Sequence, residues 1–278
     1  MAETQNVELL WRSLLMGEWP ALRRGRQVLK FIPSDPRCKL CNAPFEGIGA
    51  PFMRFIGRRP AKANPRFCDF CERFARTNVG GTEIELSLLF ADVRDSTALA
   101  ERSSATEFGR LMNRFYATAT RALIETDGLI DKLVGDEVIG HYYPGFAGPR
   151  HAQQAILAAQ RLLAQTGHDR PGGPWLPVGA GVHTGAAYAG TVGSSDTFTD
   201  FTALGDAVNI AARLASLAQK GEILISEAAC SASGMELSGL ERRTLALKGH
   251  EQPIEVRVWR VGEAPTDPLS AIPSGKRA

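Results

Sequence analysis

No run of about 18 consecutive apolar residues occurs in these 278 residues, so no helical membrane span is expected. The opening residues, MAETQNVELLW, lack a basic stretch followed by an apolar one. A secretory signal is therefore not expected, and the cytoplasm is the expected compartment. Internal repeats and low-complexity segments are absent too, which excludes solenoid and fibrous architectures. Cysteine is scarce, five in the chain, and four of these fall within residues 38–71. A scattered disulfide framework is thereby excluded, whereas a local site is not.

What is present is ordinary for a globular protein: 44% hydrophobic and 22% charged residues, enough chain for one large domain and a small one. The net charge of +2 hides an asymmetry. Residues 1–80 carry 14 Lys and Arg against 7 Asp and Glu, while the remainder carries 18 against 23. A basic N-terminal part suits nucleic acid, anionic lipid, its own acidic neighbour or simply solvent.

VELLWRSLL (7–15) sets Val7, Leu10, Trp11, Leu14 and Leu15 on one helical face, apt for packing on this protein or a twin subunit. Pro33 and Pro36 break the chain, a Gly-, Pro- and Phe-rich segment with four cysteines follows, and TNVGGTE (77–83) reads as a hinge-like linker. TEIELSLLFADV then alternates Ile84, Leu86, Leu88 and Phe90 as a strand. A helix ending at Gly128, a hairpin around Gly135-Asp136, a helix stopped by Gly167, a glycine-studded strand, and a helix DAVNIAARLASLAQKG come next. EILIS and PIEVRVWRV close as strands. This β-α-β-β-α-β order predicts an α+β, ferredoxin-like fold with a mostly antiparallel sheet.

The first strand continues one alternation to Asp92, a carboxylate at the end of a core-facing row, costly unless paired or cation-bound. Asp136 sits in the tight hairpin beside Gly135. Two carboxylates on adjacent strands suit divalent metal and phosphoryl chemistry, and equally suit turn and cap roles. Ser96 or Thr97 is placed to cap the next helix. Asn209 and Arg213, four apart, share one helix face and suit a sugar and a phosphate, or an exposed polar stripe.

LFADVRDST, DKLVGDEV, VGAGVHTGAAYAGTVG, FTALGDAVNIAARL and LALKG together closely resemble the catalytic domain of the class III nucleotidyl cyclases, in that family's order, over roughly residues 82–260. The resemblance implies that Asp92 and Asp136 hold two Mg²⁺ or Mn²⁺ ions. It further implies that Lys132 and Thr202 read the base, Asn209 orients the ribose, Arg213 neutralises the α-phosphate and Lys248 meets the β- and γ-phosphates. A lysine ammonium donates to adenine N1 and a threonine hydroxyl accepts from its amino group. Guanylyl cyclases of the family usually carry glutamate and cysteine at these positions. The implied reaction is therefore conversion of ATP to 3′,5′-cyclic AMP and pyrophosphate, an adenylate cyclase (lyase) activity. It also implies a homodimer whose sites each combine the aspartates of one chain with the base-reading residues of the other. SSDTFTDF falls where relatives reach across. Asp95-Ser96 departs from the family's Gly-Phe and brings an extra negative charge near the triphosphate. His183 and Cys230 read as structural.

Cys38-Lys-Leu-Cys41 and Cys68-Asp-Phe-Cys71, with 26 residues between the pairs, point to a bound metal. Zinc is the commonest occupant of such a pattern, although neither pair is followed by glycine. An iron–sulfur cluster is the alternative, with Phe45, Phe52, Phe55, Phe67 and Phe70 as its apolar shell. The expected organisation is an amphipathic helical segment (1–37), a Cys₄ regulatory module (38–76), a linker (77–82), the catalytic domain (83–262) and a disordered tail (263–278). Competing readings are a guanylyl cyclase, and a nucleic-acid-binding metal ribbon with an inactive cyclase domain. For the first reading no nucleic acid partner is expected.

Overall fold

The computed structural model describes residues 2–32, 34, 36–62, 65–193, 199–247 and 252–262. The expected tail, Lys248 and most of SSDTFTDF lie outside the described residues. Helices α1 (Ala2–Met16) and α2 (Pro20–Leu29) open the chain; α3 (Ala50–Phe55) and α4 (Asp69–Thr77) belong to the cysteine-bearing segment. Then come β1 (Gly80–Val93), α5 (Ser96–Arg102), α6 (Ala105–Glu125), β2 (Leu129–Val134), β3 (Glu137–Tyr142), α7 (Pro144–Ala147), α8 (His151–Gln165) and β4 (Val178–Gly193). The rest is β5 (Thr199–Leu204), α9 (Asp206–Leu217), β6 (Glu222–Ser226), α10 (Glu227–Ser233), β7 (Glu241–Leu245) and β8 (Ile254–Arg260).

The strands form one sheet in the order β2-β3-β1-β4-β6-β8-β7, with β5 added on β4. Only the β4–β6 pairing is parallel. The unit β1-α6-β2-β3-α8-β4 has the ferredoxin-like order, as the sequence pattern predicts; β5, β7 and α10 extend it. Local rules explain the main helix: Ser104 and Glu107 close a reciprocal capping box on α6, which then buries Met112, Phe115, Ala119 and Leu123.

β1 is the strand on which both layers rest. Leu89, Ala91 and Val93 face α6 and α8 on one side. Ile84, Leu86, Leu88 and Phe90 face the other side, where α1, the cysteine segment and α9 cover them. The apolar stripe of α1 thus packs on this same chain. Fully buried Trp11 stacks on Phe201 of β5, ring centroids 5.2 Å apart, and donates from Nε1 to the Asn78 carbonyl at 2.9 Å.

The expected glycine hinge is corrected by the pairing. Gly80, Gly81 and Thr82 already belong to β1, opposite Thr191, Gly190 and Ala189. A Cβ on Gly81 would lie 2.4 Å from the Ala189 carbonyl oxygen. These glycines permit two strands to approach closely; they do not supply freedom of motion.

Within β3, His141 is enclosed, its ring in a 3.2 Å hydrogen bond with the Tyr143 hydroxyl. Burial lowers its pKa to about 4, with the nearby Asp131 charge opposing. The unfolded imidazole titrates near 6.5. As pH falls from 6.5 towards 4 the unfolded chain takes up a proton that the folded chain refuses, so stability present above 6.5 is lost through this window. Urea unfolding at pH 7 and pH 5 should therefore show the parent chain losing about 2 kcal/mol more than a His141→Gln variant. Trp11→Ala should lower stability by about 3–5 kcal/mol at either pH, read as a reduced urea midpoint.

Candidate active site and cysteine centre

The end of β1 brings the expected carboxylates together. Asp92 lies in register with Glu137, and the Val93 amide donates to the Asp136 carbonyl at 3.1 Å, fastening the β2–β3 turn beside it. Gly135 turns the chain in the left-handed region, φ 63°. Burial raises the Asp92 pKa, Arg94 opposes the rise, and the Asp136 charge adds to it. Glu137 is likewise raised, by burial first and then by Asp92 and Asp136. Asp92 and Glu137, both raised, stand beside Asp136 in a carboxylate group whose repulsion a divalent cation would relieve. Asp92 and Asp136 therefore fit such an ion, with Glu137 as a neighbour.

Two other side chains reach these carboxylates: Arg94, not singled out from the sequence, and Ser96, expected there only as a helix cap. Arg94 pairs with Asp92 and extends to the carbonyls of Ser216 at 2.9 Å and Ala218 at 3.3 Å, joining the end of α9 to the site. Ser96 donates to Asp136, so the expected capping role is corrected: Ser96 is the first residue of α5, and Asp95 holds the N-cap position without a side-chain cap. Asp95 is exposed. The alternation that led to Asp92 also places Arg94 on the same face, and that signal was available.

On α9, Ala207, Ile210, Ala211 and Leu214 are buried, while Asn209 is exposed and Arg213 half-buried. Neither side chain has a hydrogen-bond or ion-pair partner among the described residues. The helix lies directly on β4: a Cβ on Gly181 would be 2.4 Å from the Ala215 amide nitrogen. Arg213 thus stands free one turn before the carbonyls that Arg94 holds.

Thr202 and Lys132, expected together, lie on β5 and β2, which Asp131, the neighbour of Lys132, links. Thr202 is buried on β5 and donates to Asp131 Oδ2 at 3.0 Å. Asp131 is the irregular residue of β2, where the register shifts between Ile130 and Lys132. Lys132 lines a cleft of about 600 Å³ with Pro36, Arg37, Asn42 and Arg66, and Thr202 is not part of its wall. Asp131 also receives Lys39 Nζ from the cysteine segment at 2.8 Å. Burial alone would raise Asp131, but the facing His141 and Lys39 and the hydrogen bonds from Lys39 and Thr202 hold it below the usual value. His141 is neutral at pH 7, so Lys39 is the cation that matters there.

Cys38, Cys41, Cys68 and Cys71 are buried with all four sulfurs within 4.8 Å of one another. The first pair lies in a turn where Asn42, φ 62°, takes the left-handed place usual for glycine. The second pair starts α4, whose N-terminus favours thiolate. Cys41 and Cys68 sulfurs are 3.7 Å apart. Zn–S bonds of about 2.3 Å in a tetrahedron give an edge of about 3.8 Å. The quartet therefore fits a single ion. The expected apolar shell is corrected: Phe45 and Phe67 are buried, but Phe52, Phe55 and Phe70 are 62%, 89% and 58% exposed. Cys230 lies apart, its thiol pushed up to about 11 by burial, and His183 bonds Ser226 at 2.8 Å as a structural residue.

No helix among the described residues is long and apolar enough to cross a membrane. The family model for the adenylate and guanylate cyclase catalytic domain matches residues 82–259. An uncharacterised protein of Mycobacterium tuberculosis is 30% identical over 211 residues, covering 74% of this chain and 37% of its own length. A Mycobacterium bovis protein, also uncharacterised, is 31% identical over 214 residues, 74% of this chain and 35% of its own. The chain thus spans little more than a third of these relatives. Among solved structures, the guanylyl cyclase Cya2 superposes with TM-score 0.57 at 26% identity, covering 66% of this chain and 96% of that one. The adenylyl cyclase CyaB from P. aeruginosa gives 0.53 at 29% identity, covering 64% and 94%. With the matched region taking in β1 through β8, the chain belongs to the class III adenylyl and guanylyl cyclase family.

Proposed function

We propose that this chain is an adenylyl cyclase, converting ATP to 3′,5′-cyclic AMP and pyrophosphate in a homodimer, under control of its cysteine module. The observation that carries the reaction is the convergence of Asp92 and Asp136, by way of the β2–β3 turn, in a chain of this family. Asp92 and Asp136 would hold two divalent ions, displacing Arg94 and Ser96. When bound, these ions supply Lewis acidity for the ribose 3′-hydroxyl and offset the charge of the triphosphate. Asn209 orients the ribose, and Arg213, without a side-chain partner among the described residues, meets charge developing on the α-phosphate. Positioning carries the rest; no covalent enzyme intermediate is required.

Preference for ATP rests on residue type: Lys132 donates to adenine N1, and Thr202 accepts from the adenine amino group. Guanylyl cyclase activity is the second reading, favoured by the likeness to Cya2. Nucleic-acid binding by the basic module is disfavoured, because Lys30, Lys39 and Arg66 pair with Asp127, Asp131 and Asp200 of this same chain. With Mn²⁺ and each nucleotide supplied separately, cyclic AMP should form at least about tenfold faster than cyclic GMP, and Asp136→Ala should reduce the rate by about 100-fold or more. Faster turnover of GTP would reverse the substrate assignment.

Zinc is the proposed occupant of the cysteine quartet, on the short sulfur–sulfur edge and the outward phenylalanines. The purified protein should carry one zinc per chain and be colourless, and Cys38→Ser should abolish stoichiometric zinc. Iron with acid-labile sulfide would instead identify a cluster.

A further inference from the structure

We propose that the cysteine module is a latch, closed in cis over the base-reading strand and keyed by Lys39, and that nucleotide binding requires it to open. This rests on the assignment of Thr202 and Lys132 to the base. Lys39 lies between Cys38 and Cys41, so its backbone is set by the quartet. Its side chain crosses to the catalytic domain, where the ammonium meets Asp131 at 2.8 Å and Asp200 at 3.2 Å and donates to the Phe201 carbonyl. Asp200 and Phe201 immediately precede Thr202 on β5. Arg66, on the second cysteine arm, adds a pair to Asp200 at 3.1 Å and donates to the Asp131 carbonyl.

These contacts bury the residue that should read the base. Thr202 is only 5% exposed, so although its hydroxyl donates to Asp131 and keeps its lone pairs, a base has no access to them. The Lys39 ammonium is a positively charged N–H donor beside Thr202, as the adenine amino group is a neutral one. It occupies the acceptors that surround Thr202, namely Asp131, Asp200 and the Phe201 carbonyl. Lys132 is turned into a separate cleft walled by the module's Pro36, Arg37, Asn42 and Arg66. A base cannot reach the enclosed Thr202 hydroxyl in this arrangement. Withdrawal of Lys39 and Arg66 exposes Thr202 and unwalls Lys132 in a single movement. A ligand or partner that displaces the module, or loss of the quartet's ion, then becomes an activating signal.

The test compares the full-length parent with Lys39→Met and Arg66→Ala, assayed at low ATP and at low GTP with Mn²⁺. Asp92→Ala in each background gives the zero. Lys39→Met keeps the stem of the side chain, and Arg66 is partly exposed, so one variant guards against misfolding of the other. Circular dichroism and metal content confirm the fold. The latch predicts that both variants raise the Asp92-dependent rate, by about fivefold for Lys39→Met, through a lower KM with kcat little changed. An equal or lower rate in both folded variants overturns the latch and leaves the cyclase assignment standing. No Asp92-dependent product from either nucleotide in any of the three overturns the cyclase assignment, and the latch with it.

Discussion

A buried ammonium on a buried carboxylate, Lys39 on Asp131, ties the two halves of the molecule together. Both side chains are almost fully enclosed, at 3% and 4% exposure. Each charge would be intolerable alone, because removing one partner strands the other in a poorly polarisable interior. The surroundings complete the pair with Thr202, Asp200 and the Phe201 carbonyl. The pair also accounts for the lopsided charge of the chain. The excess of Lys and Arg in residues 1–80 faces an excess of Asp and Glu in the remainder, and Lys30–Asp127 and Arg66–Asp200 repeat the same polarity.

Around that contact the sheet divides labour between its faces. One is sealed by α6 and α8, the two crossover helices of the ferredoxin-like unit. The other carries α9 and is covered by α1 and the cysteine segment. Asp92 continues the row Ile84, Leu86, Leu88 and Phe90, so the carboxylates emerge where that second face ends. The α1 and cysteine-segment cover of this face is N-terminal to β1, whereas the residues expected to do chemistry lie on β1 or after it.

Much of this was legible in the sequence, since it depends on near neighbours. Alternation in β1 yields both the strand and the position of Asp92; glycine stops delimit α6 and α8; two C-x-x-C pairs foretell the quartet. What stayed hidden depends on distant pairing. Lys39 and Asp131 are 92 positions apart, and Arg66 and Asp200 are 134 apart. No periodicity links them. The same limit explains the glycine error: Gly80 and Gly81 look like a hinge until β4 lies against them. The cysteine module's phenylalanines misled for a related reason, as an aromatic-rich segment does not reveal which rings face inward. Burial of Thr202 beneath Lys39 and Asp131 was equally invisible, because it too depends on distant pairing.

The two attachments of the N-terminal part differ in physical kind, and the difference suits a switch. Trp11, Leu14 and Leu15 hold α1 on the sheet by burial of apolar surface, which is lost steeply when the contact opens. The Lys39 and Arg66 contacts are ionic. Solvation regained on separation offsets much of their attraction, so they sit near balance and yield to a modest competing interaction. In the proposed latch the ionic contacts on β5 yield first, while the apolar contacts of α1 and of Leu40 and Phe45 resist. Because Lys39 lies between Cys38 and Cys41, the geometry of the cysteine quartet sets where that charge falls. Metal state and base access then become properties of a single short turn.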